Sequence, residues 1–412
     1  MGYGLIGEYL SHSFSPEIHR ELTDGAYNYH LIELTPSQLE PFLAEKSFDG
    51  INVTNPYKQK VIPYLDEITP EAIKIGAVNT IVRRGDRLIG YNTDYFGFRY
   101  LLNRLDEPIR GARILILGNG ATSKTVAAVC SDLGASSIVK VSRRESPTFD
   151  ELEQVKDAQV IINATPVGMY PKLDQTLIQP GAFSDCRIVV DVIYNPLATQ
   201  LIQNAKAAGI RASNGLPMLV AQAKVAAEIF LGQDIPQQAL EKTLQTIDSR
   251  FRNVVLIGMP GSGKSTVGKL VAERLKKPFV DIDEEICQTV GMSIPEYFEK
   301  KGEPAFRSIE RELTAKFGGM NGQVISSGGG SVMDEVNRRS FRYNGIIVYL
   351  ERDLGSLPHH GRPVSQRAGS LEQLFGERHP VYQALADLVI DNNGPLTQTV
   401  DRIVDSLGGR NI

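Results

Sequence analysis

The chain has 412 residues, 42% of them hydrophobic, and a formal net charge of −4. At roughly 150 residues per domain, that length predicts two or three domains, each with its own core. The mild acidity gives no reason to expect a nucleic-acid partner, which calls for a strongly basic face.

Short apolar runs alternate with helical patterns along the whole chain. Residues 50–54, 113–117, 160–164, 188–192, 254–257, 324–326 and 346–350 are largely aliphatic and stop near Gly, Pro, Asn or Asp. That pattern suits parallel strands buried on both faces. The alternation predicts an α/β architecture with ligands at the carboxyl ends of strands. Residues 113–117 run into Gly118-Asn119-Gly120, and 254–257 run into a glycine-rich turn at 258–265. Each reads as the first strand of a nucleotide-binding sheet, so two nucleotide domains are expected. The polar, helix-prone stretch 237–252 holds the main boundary. No apolar run reaches the roughly 18 residues of a membrane span. The opening Met1-Gly2-Tyr3-Gly4-Leu5-Ile6 lacks the marks of a signal peptide or a myristoylation site, and a cytoplasmic protein without membrane partners is expected. Cys130, Cys186 and Cys287 form no C-x-x-C pair and read as small buried hydrophobes.

The first glycine turn carries two of the three glycines of G-x-G-x-x-G, with Ser123 at the third position. A strand precedes it and a helical pattern at 124–133 follows, which is the context a dinucleotide site requires. The next strand, 138–141, ends in Ser142-Arg143-Arg144. An NAD site favours an acid there; two arginines suit the 2′-phosphate of NADP, and an exposed basic turn is the plainer alternative.

Several motifs then occur in order: His12-Ser13-Phe14-Ser15-Pro16, Gly50-Ile51-Asn52-Val53-Thr54-Asn55-Pro56-Tyr57-Lys58, Gly76-Ala77-Val78-Asn79-Thr80, Asn92-Thr93-Asp94, Ala164-Thr165-Pro166-Val167-Gly168-Met169, Asp191-Val192-Ile193-Tyr194-Asn195-Pro196 and Gly215-Leu216-Pro217-Met218-Leu219-Val220-Ala221-Gln222. With them the chain from about residue 1 to 245 resembles shikimate dehydrogenase. The resemblance implies that Lys58 and Asp94 are the catalytic pair, and that Ser13 and Ser15 bind the substrate carboxylate. Thr54, Asn79 and Gln222 would read ring hydroxyls, with Tyr194 nearby. Gly118, Gly120, Ala121, Ser142, Arg143, Arg144, Thr165 and Met218 would contact NADP. Ala121 stands where a further glycine is common, and Gly7-Glu8-Tyr9-Leu10 departs from the usual Pro-Ile pair. Read without the family, Ser15-Pro16 is a helix cap with an N1 proline, Asn92-Thr93-Asp94 caps a following helix, and Lys58 is a surface lysine.

The second turn, Gly258-Met259-Pro260-Gly261-Ser262-Gly263-Lys264-Ser265, fits G-x-x-x-x-G-K-[ST]. Its backbone N–H groups can converge on phosphate oxygens, with Lys264 on the β/γ-phosphates and Ser265 on Mg²⁺. A helix expected from about Thr266 aims its positive end at the same anion. In Phe279-Val280-Asp281-Ile282-Asp283, strand alternation would send both carboxylates to one side, for a metal and an acceptor hydroxyl; an Asp-capped helix from about Glu284 fits equally well.

Together with Gly291-Met292-Ser293-Ile294, Gly302-Glu303, Phe306-Arg307 with Glu310, and Gly328-Gly329-Gly330, these residues resemble shikimate kinase from about Asn253 onward. The resemblance implies that Gly261, Ser262, Gly263, Lys264, Ser265 and Thr266 bind ATP, and that Ser265 and Asp281 serve the metal. Asp283 would contact the phosphorylated hydroxyl, Arg307 and Arg378 the carboxylate, and Gly328, Gly329 and Gly330 the ring. Arg362 would come from a lid. Val364-Ser365 follows where leucines are usual, and Pro358-His359-His360 stands where a basic residue against adenine is expected.

The whole reads as an α/β substrate lobe at 1–104 completed by 214–248, a Rossmann NADP domain at 105–213, and a P-loop kinase domain with a parallel sheet at 249–412. The expected function is bifunctional: reduction of 3-dehydroshikimate with NADPH, then phosphorylation of shikimate with ATP and Mg²⁺. The alternative is a quinate/shikimate dehydrogenase fused to an inactive, ligand-sensing kinase fold.

Overall fold

Three β-sheets organise the described residues. The computed structural model describes residues 2–10, 13–105, 107–143, 147–357 and 371–408. His12, Arg144, Arg362 and Pro358-His359-His360 fall outside these residues.

In the first sheet the strands lie in the order Tyr29–Glu33, Tyr3–Gly7, Gly50–Val53, Thr80–Arg84, Arg87–Tyr91 and Glu67–Ile68. Thr80–Arg84 runs antiparallel to both its neighbours, so this sheet is mixed where parallel strands were expected. The hairpin escapes a search for apolar runs because Arg83, Arg84 and Arg87 interrupt it. Its two-residue Gly85-Asp86 turn, with Gly85 at φ +62°, is the signal that marks it.

The second sheet is parallel throughout, in the order Arg211–Ser213, Ile188–Asp191, Val160–Asn163, Arg113–Leu117 and Ser137–Val141. The aliphatic residues Ile114 to Leu117 are fully buried. The helix Ala121–Asp132 covers them through Val126, Val129 and Cys130, a spacing of three and four that gives a helix one apolar stripe. From Arg113–Leu117 the chain goes to one side, then crosses to Val160–Asn163 on the other. That reversal opens a crevice at the carboxyl ends of these two strands.

The third sheet is also parallel, in the order Phe279–Asp281, Val324–Ser326, Asn253–Ile257, Gly345–Glu351 and Leu388–Asp391. Its first strand in sequence is central. The chain divides into two compact units, one of Met1–Met169, Asp174–Tyr194 and Asn204–Ile247, the other of Tyr170–Leu173, Asn195–Gln203 and Asp248–Ile412.

Element ends differ from the sequence reading by short steps. The helix expected from 124 starts at Ala121, and the one expected from 266 starts at Lys264. Phe279–Asp281 is a strand of only three residues, and Asp283 already lies in the helix Ile282–Val290. Strand alternation therefore does not place Asp283; Asp281 ends the strand by capping that helix, accepting from the N–H groups of Asp283 at 3.0 Å and Glu284 at 3.4 Å. Of the cysteines, only Cys130 is fully buried, and burial pushes its thiol up to about 12. Cys186 and Cys287 are half-buried. Among the described residues, no helix is long and apolar enough to cross a membrane.

The helices Thr93–Arg104 and Leu216–Leu231 pack with little space between their backbones. A Cβ on Gly97 would lie 2.6 Å from the Met218 carbonyl oxygen and 2.8 Å from Gln222 Cβ. Gly97→Ala should therefore push the helices apart and lower stability by about 1–3 kcal/mol, measured by denaturant unfolding.

Candidate active sites

The first cleft, of about 470 Å³, takes residues from both sheets of the first unit. Lys58 and Asp94 meet in it, with Nζ donating to Oδ2 at 2.6 Å. Buried groups behind each of them fix the pair. Tyr57 is fully buried and its hydroxyl donates to the Leu34 carbonyl, which turns the next side chain, Lys58, outward. Asn92 caps the helix Thr93–Arg104 by accepting from Tyr95 N–H at 3.1 Å, and donates to the Ala77 carbonyl at 2.9 Å. Asp94 thus sits in the first helical turn, where the macrodipole favours a carboxylate. Lys58 is a cleft residue rather than a surface lysine, its side chain 17% exposed.

Ser13, Ser15, Thr54, Asn79, Tyr194, Met218 and Gln222 line the same cleft. Ser15 is the first residue of its helix and Phe14 occupies the cap position; the Ser13 hydroxyl accepts from Ser15 N–H at 3.3 Å. Asn79 accepts from Thr93 N–H at 2.6 Å and donates to Thr93 Oγ1 at 2.9 Å. Thr93 Oγ1 lies 3.3 Å from Gln222 Oε1. One threonine thus joins the Asn79 and Gln222 amides.

At the crevice between Arg113–Leu117 and Val160–Asn163, Gly118 has φ +108°, and a Cβ there would stand 2.8 Å from Thr165 Cγ2. Only glycine suits both the conformation and the space. No atom lies within 4 Å of a Cβ on Gly120, which leaves room over the N-terminus of Ala121–Asp132 for a pyrophosphate. Ser123 is buried and donates to the Gly118 carbonyl at 2.7 Å. A serine therefore closes the turn where the fingerprint has its third glycine. The Thr165 hydroxyl donates to Asn163 Oδ1 at 2.7 Å and accepts from Val167 N–H, so it shapes the loop facing Gly118. Arg143 is exposed just beyond Ser137–Val141. Ser142 pairs with Thr148 in a single bridge.

The second cleft, of about 580 Å³, lies at the carboxyl ends of the third sheet. Gly258, Gly261 and Gly263 all have positive φ, which lets the loop curl around an anion. Lys264 Nζ donates to the carbonyls of Gly258 and Met259 at 3.0 and 3.1 Å. The Ser265 hydroxyl donates to Asp281 Oδ2 at 2.5 Å. A hydroxyl and a carboxylate beside a phosphate loop are the donors Mg²⁺ takes alongside phosphate oxygens and water. A Cβ on Gly328 would stand 2.8 Å from Asp283 Oδ1; one on Gly330 would stand 3.4 Å from Arg378 Nη2 and 3.5 Å from both terminal nitrogens of Arg307. The glycine run thus brings one carboxylate and two guanidinium groups around one space.

Glu310 is 1% exposed and aims Arg307: it accepts from Arg307 Nη1 at 2.8 Å and from the Ser331 hydroxyl at 2.6 Å. Glu310 belongs to the Phe306-Arg307 motif, and its spacing of three from Arg307 on one helix is the signal in the residue order for this pairing. Tyr382 donates to the Gly329 carbonyl at 2.5 Å and was not foreseen. Nor were Thr122 and Asn52, which line the first cleft.

These arrangements define the class: an oxidoreductase for a nicotinamide dinucleotide and a P-loop phosphotransferase, carried on one chain. The family model for the shikimate dehydrogenase substrate-binding domain matches residues 5–81, and the shikimate kinase model matches residues 260–408. The chain is 37% identical over 270 residues to the NADP⁺ shikimate dehydrogenase of Clostridium beijerinckii, which spans 61% of this chain and 99% of that protein. It is 40% identical over 263 residues to that of Halothermothrix orenii, across 56% and 90%. Among solved structures it resembles a chorismate mutase/shikimate 5-dehydrogenase fusion from Clostridium acetobutylicum, with TM-score 0.57, 33% identity and coverage of 60% and 97%. It also resembles shikimate 5-dehydrogenase from Thermus thermophilus in complex with NADP(H) and shikimate, with TM-score 0.54, 28% identity and coverage of 60% and 99%. The chain belongs to the shikimate dehydrogenase family and carries a shikimate kinase domain behind it, which makes it a bifunctional shikimate-pathway enzyme.

Behind the Ser13–Ser15 end of the first cleft lies a fully buried imidazole. His19 stacks on Tyr29 at 4.1 Å, and its Nδ1 lies 2.6 Å from the Tyr27 hydroxyl. The Tyr29 hydroxyl donates to Asn52 Oδ1 at 2.6 Å. Burial lowers the His19 pKa to about 3. With an ordinary value near 6.5 in the unfolded chain, the unfolded state binds more protons between these pH values. Stability is therefore present in full above about pH 6.5 and is lost toward pH 3, by up to about 1.4 kcal/mol per pH unit from this group. His19→Phe should flatten the fall in unfolding midpoint between pH 6.5 and 4.5; an unchanged slope would show that His19 does not contribute.

Proposed function

We propose that the first cleft reduces 3-dehydroshikimate to shikimate and that the second phosphorylates shikimate to shikimate 3-phosphate. When bound, NADPH supplies the hydride and ATP with Mg²⁺ the phosphoryl group. The Lys58–Asp94 ion pair, inside a cleft that reaches the glycine-rich crevice, carries the reading of the first site.

As the carbonyl carbon is reduced, negative charge grows on its oxygen. The Lys58 ammonium stabilises that charge and supplies the proton, while Asp94 orients Lys58 and accepts from a substrate hydroxyl. Ser13 and Ser15 hold the carboxylate. Thr54, Asn79 and Gln222 read the ring hydroxyls, and Tyr194 closes the side of the cleft. Gly118, Gly120 and Ala121 face the pyrophosphate, Arg143 takes the 2′-phosphate, and Thr165 and Met218 border the nicotinamide end.

At the second site, Arg307 and Arg378 grip the carboxylate as paired forks. Asp283 orients the acceptor hydroxyl, and Lys264 with the loop N–H groups neutralises the phosphates. Phosphoryl transfer depends mainly on such positioning and charge. Lys264, Asp283 and Arg307 in one cleft favour turnover over a ligand-sensing role. The domain limits that go with this reading are 1–104 with 214–248 for the substrate lobe, 105–213 for the NADP domain and 249–412 for the kinase. NADPH and ATP as co-substrates go with a cytoplasmic location.

Incubating the whole chain with 3-dehydroshikimate, NADPH and ATP-Mg²⁺ should yield shikimate 3-phosphate. Lys58→Ala should slow NADPH oxidation about 10²–10⁴-fold and leave ADP release from added shikimate intact; Lys264→Ala should do the reverse. Loss of both activities from either variant in a folded protein would refute the two-site assignment.

A further inference from the structure

The kinase cleft extends to both sides of the phosphate loop, and the two sides differ. The loop rises from Asn253–Ile257, the central strand. Neighbouring strands on one side, Val324–Ser326 and Phe279–Asp281, deliver Gly328, Gly330, Asp281 and Asp283. On the other side, Gly345–Glu351 and Leu388–Asp391 are followed at once by Arg352 and Asn392. With the transferable phosphate directed at Asp283, the rest of the nucleotide must extend over this second side.

Arg352 lines the cleft there. Its Nε is buried and has no hydrogen-bond partner. Its Nη1 would stand 3.9 Å from a Cβ on Gly263, so the guanidinium lies against the phosphate loop. The backbone on both sides of it is tied down: the Glu351 carbonyl accepts from Asn392 N–H at 2.8 Å, and Asp353 N–H donates to Asn393 Oδ1 at 2.9 Å. Asn392 cannot play the same part, because its amide donates to the Ser262 carbonyl at 2.7 Å and accepts from Thr399 at 2.9 Å. Asn392 latches the loop, while Arg352, half-buried on the cleft wall, presents the outer edge of its guanidinium beside Gly263 to whatever lies over this side.

We infer that Arg352 is the nucleoside-side anchor of the kinase, contacting the α-phosphate or the adenine of ATP. It stands where the chain leaves its strand, six residues before the Pro358-His359-His360 stretch in which sequence reading sought a basic residue. A planar guanidinium suits either contact, by paired hydrogen bonds to phosphate or by stacking on a base.

The inference rests on the kinase reading, which ADP release by the unmodified chain with shikimate tests separately. In the full-length protein, Arg352→Ala should raise the KM for ATP about tenfold. The KM for shikimate and the rate of NADPH oxidation should stay within about twofold. Competitive inhibition by AMP should weaken in parallel. Inhibition by adenosine weakening as well identifies a base contact; adenosine unaffected identifies an α-phosphate contact. Arg352→Lys, which keeps the charge without the fork, provides a second variant if the alanine protein does not fold. An ATP KM within twofold of the parent in a folded variant, or an equal loss in the KM for shikimate, would overturn the inference.

Discussion

A helix N-terminus leaves N–H groups without intrahelical partners, and a parallel strand feeding that helix points them at one spot. Both halves of this protein depend on that constraint. Arg113–Leu117 leads into Ala121–Asp132, and Asn253–Ile257 leads into Lys264–Leu275. Gly118 in the first turn, and Gly258, Gly261 and Gly263 in the second, take positive φ and bring the backbone close to where an anion would lie. The nucleotides are anions, and so is the small acid each site is proposed to accept. Positive charge is accordingly local in a chain whose net charge is −4.

The side chains proposed to react or to bind substrate are held by others that have no part in the proposed chemistry. Tyr57 anchors the chain next to Lys58, and Asn92 caps the helix that carries Asp94. Glu310 aims Arg307, and Asp281 places Asp283 by capping its helix while accepting from Ser265. These supports are buried, and Asn92, Glu310 and Asp281 each form at least two polar contacts. Such anchoring restricts rotation of long side chains, which would reduce the entropy lost when Lys58 or Arg307 engages a substrate as proposed.

The two clefts differ in construction. The first gathers single residues from loops, a strand and several helices, and Asn79 and Gln222, the proposed hydroxyl readers, share hydrogen bonds through Thr93. The second lies at the carboxyl end of one sheet, where Gly328 clears space beside Asp283 and Gly330 beside Arg307 and Arg378, all three carried on helices. Reading the ring hydroxyls calls for many directional donors and acceptors. Phosphoryl transfer calls chiefly for charge and alignment.

Local chemistry could be read from the residue order because it is short-range. Aliphatic runs ending in glycine turns mark buried strands, and G-x-x-x-x-G-K-S marks a phosphate loop, whatever surrounds them. The mixed first sheet was missed because a charged hairpin has no apolar run, and Asp283 was left open between a strand and the start of a capped helix because a three-residue strand and a helix cap look alike in sequence. The sequence alone therefore determined the two nucleotide sheets, their turns and the kinds of groups available. Tertiary structure decided which groups meet: Lys58 with Asp94 across 36 positions, Ser265 with Asp281, and Arg352 with Gly263. Those meetings arise from sheet order and burial, which are set by contacts between distant segments and leave no periodic trace along the chain.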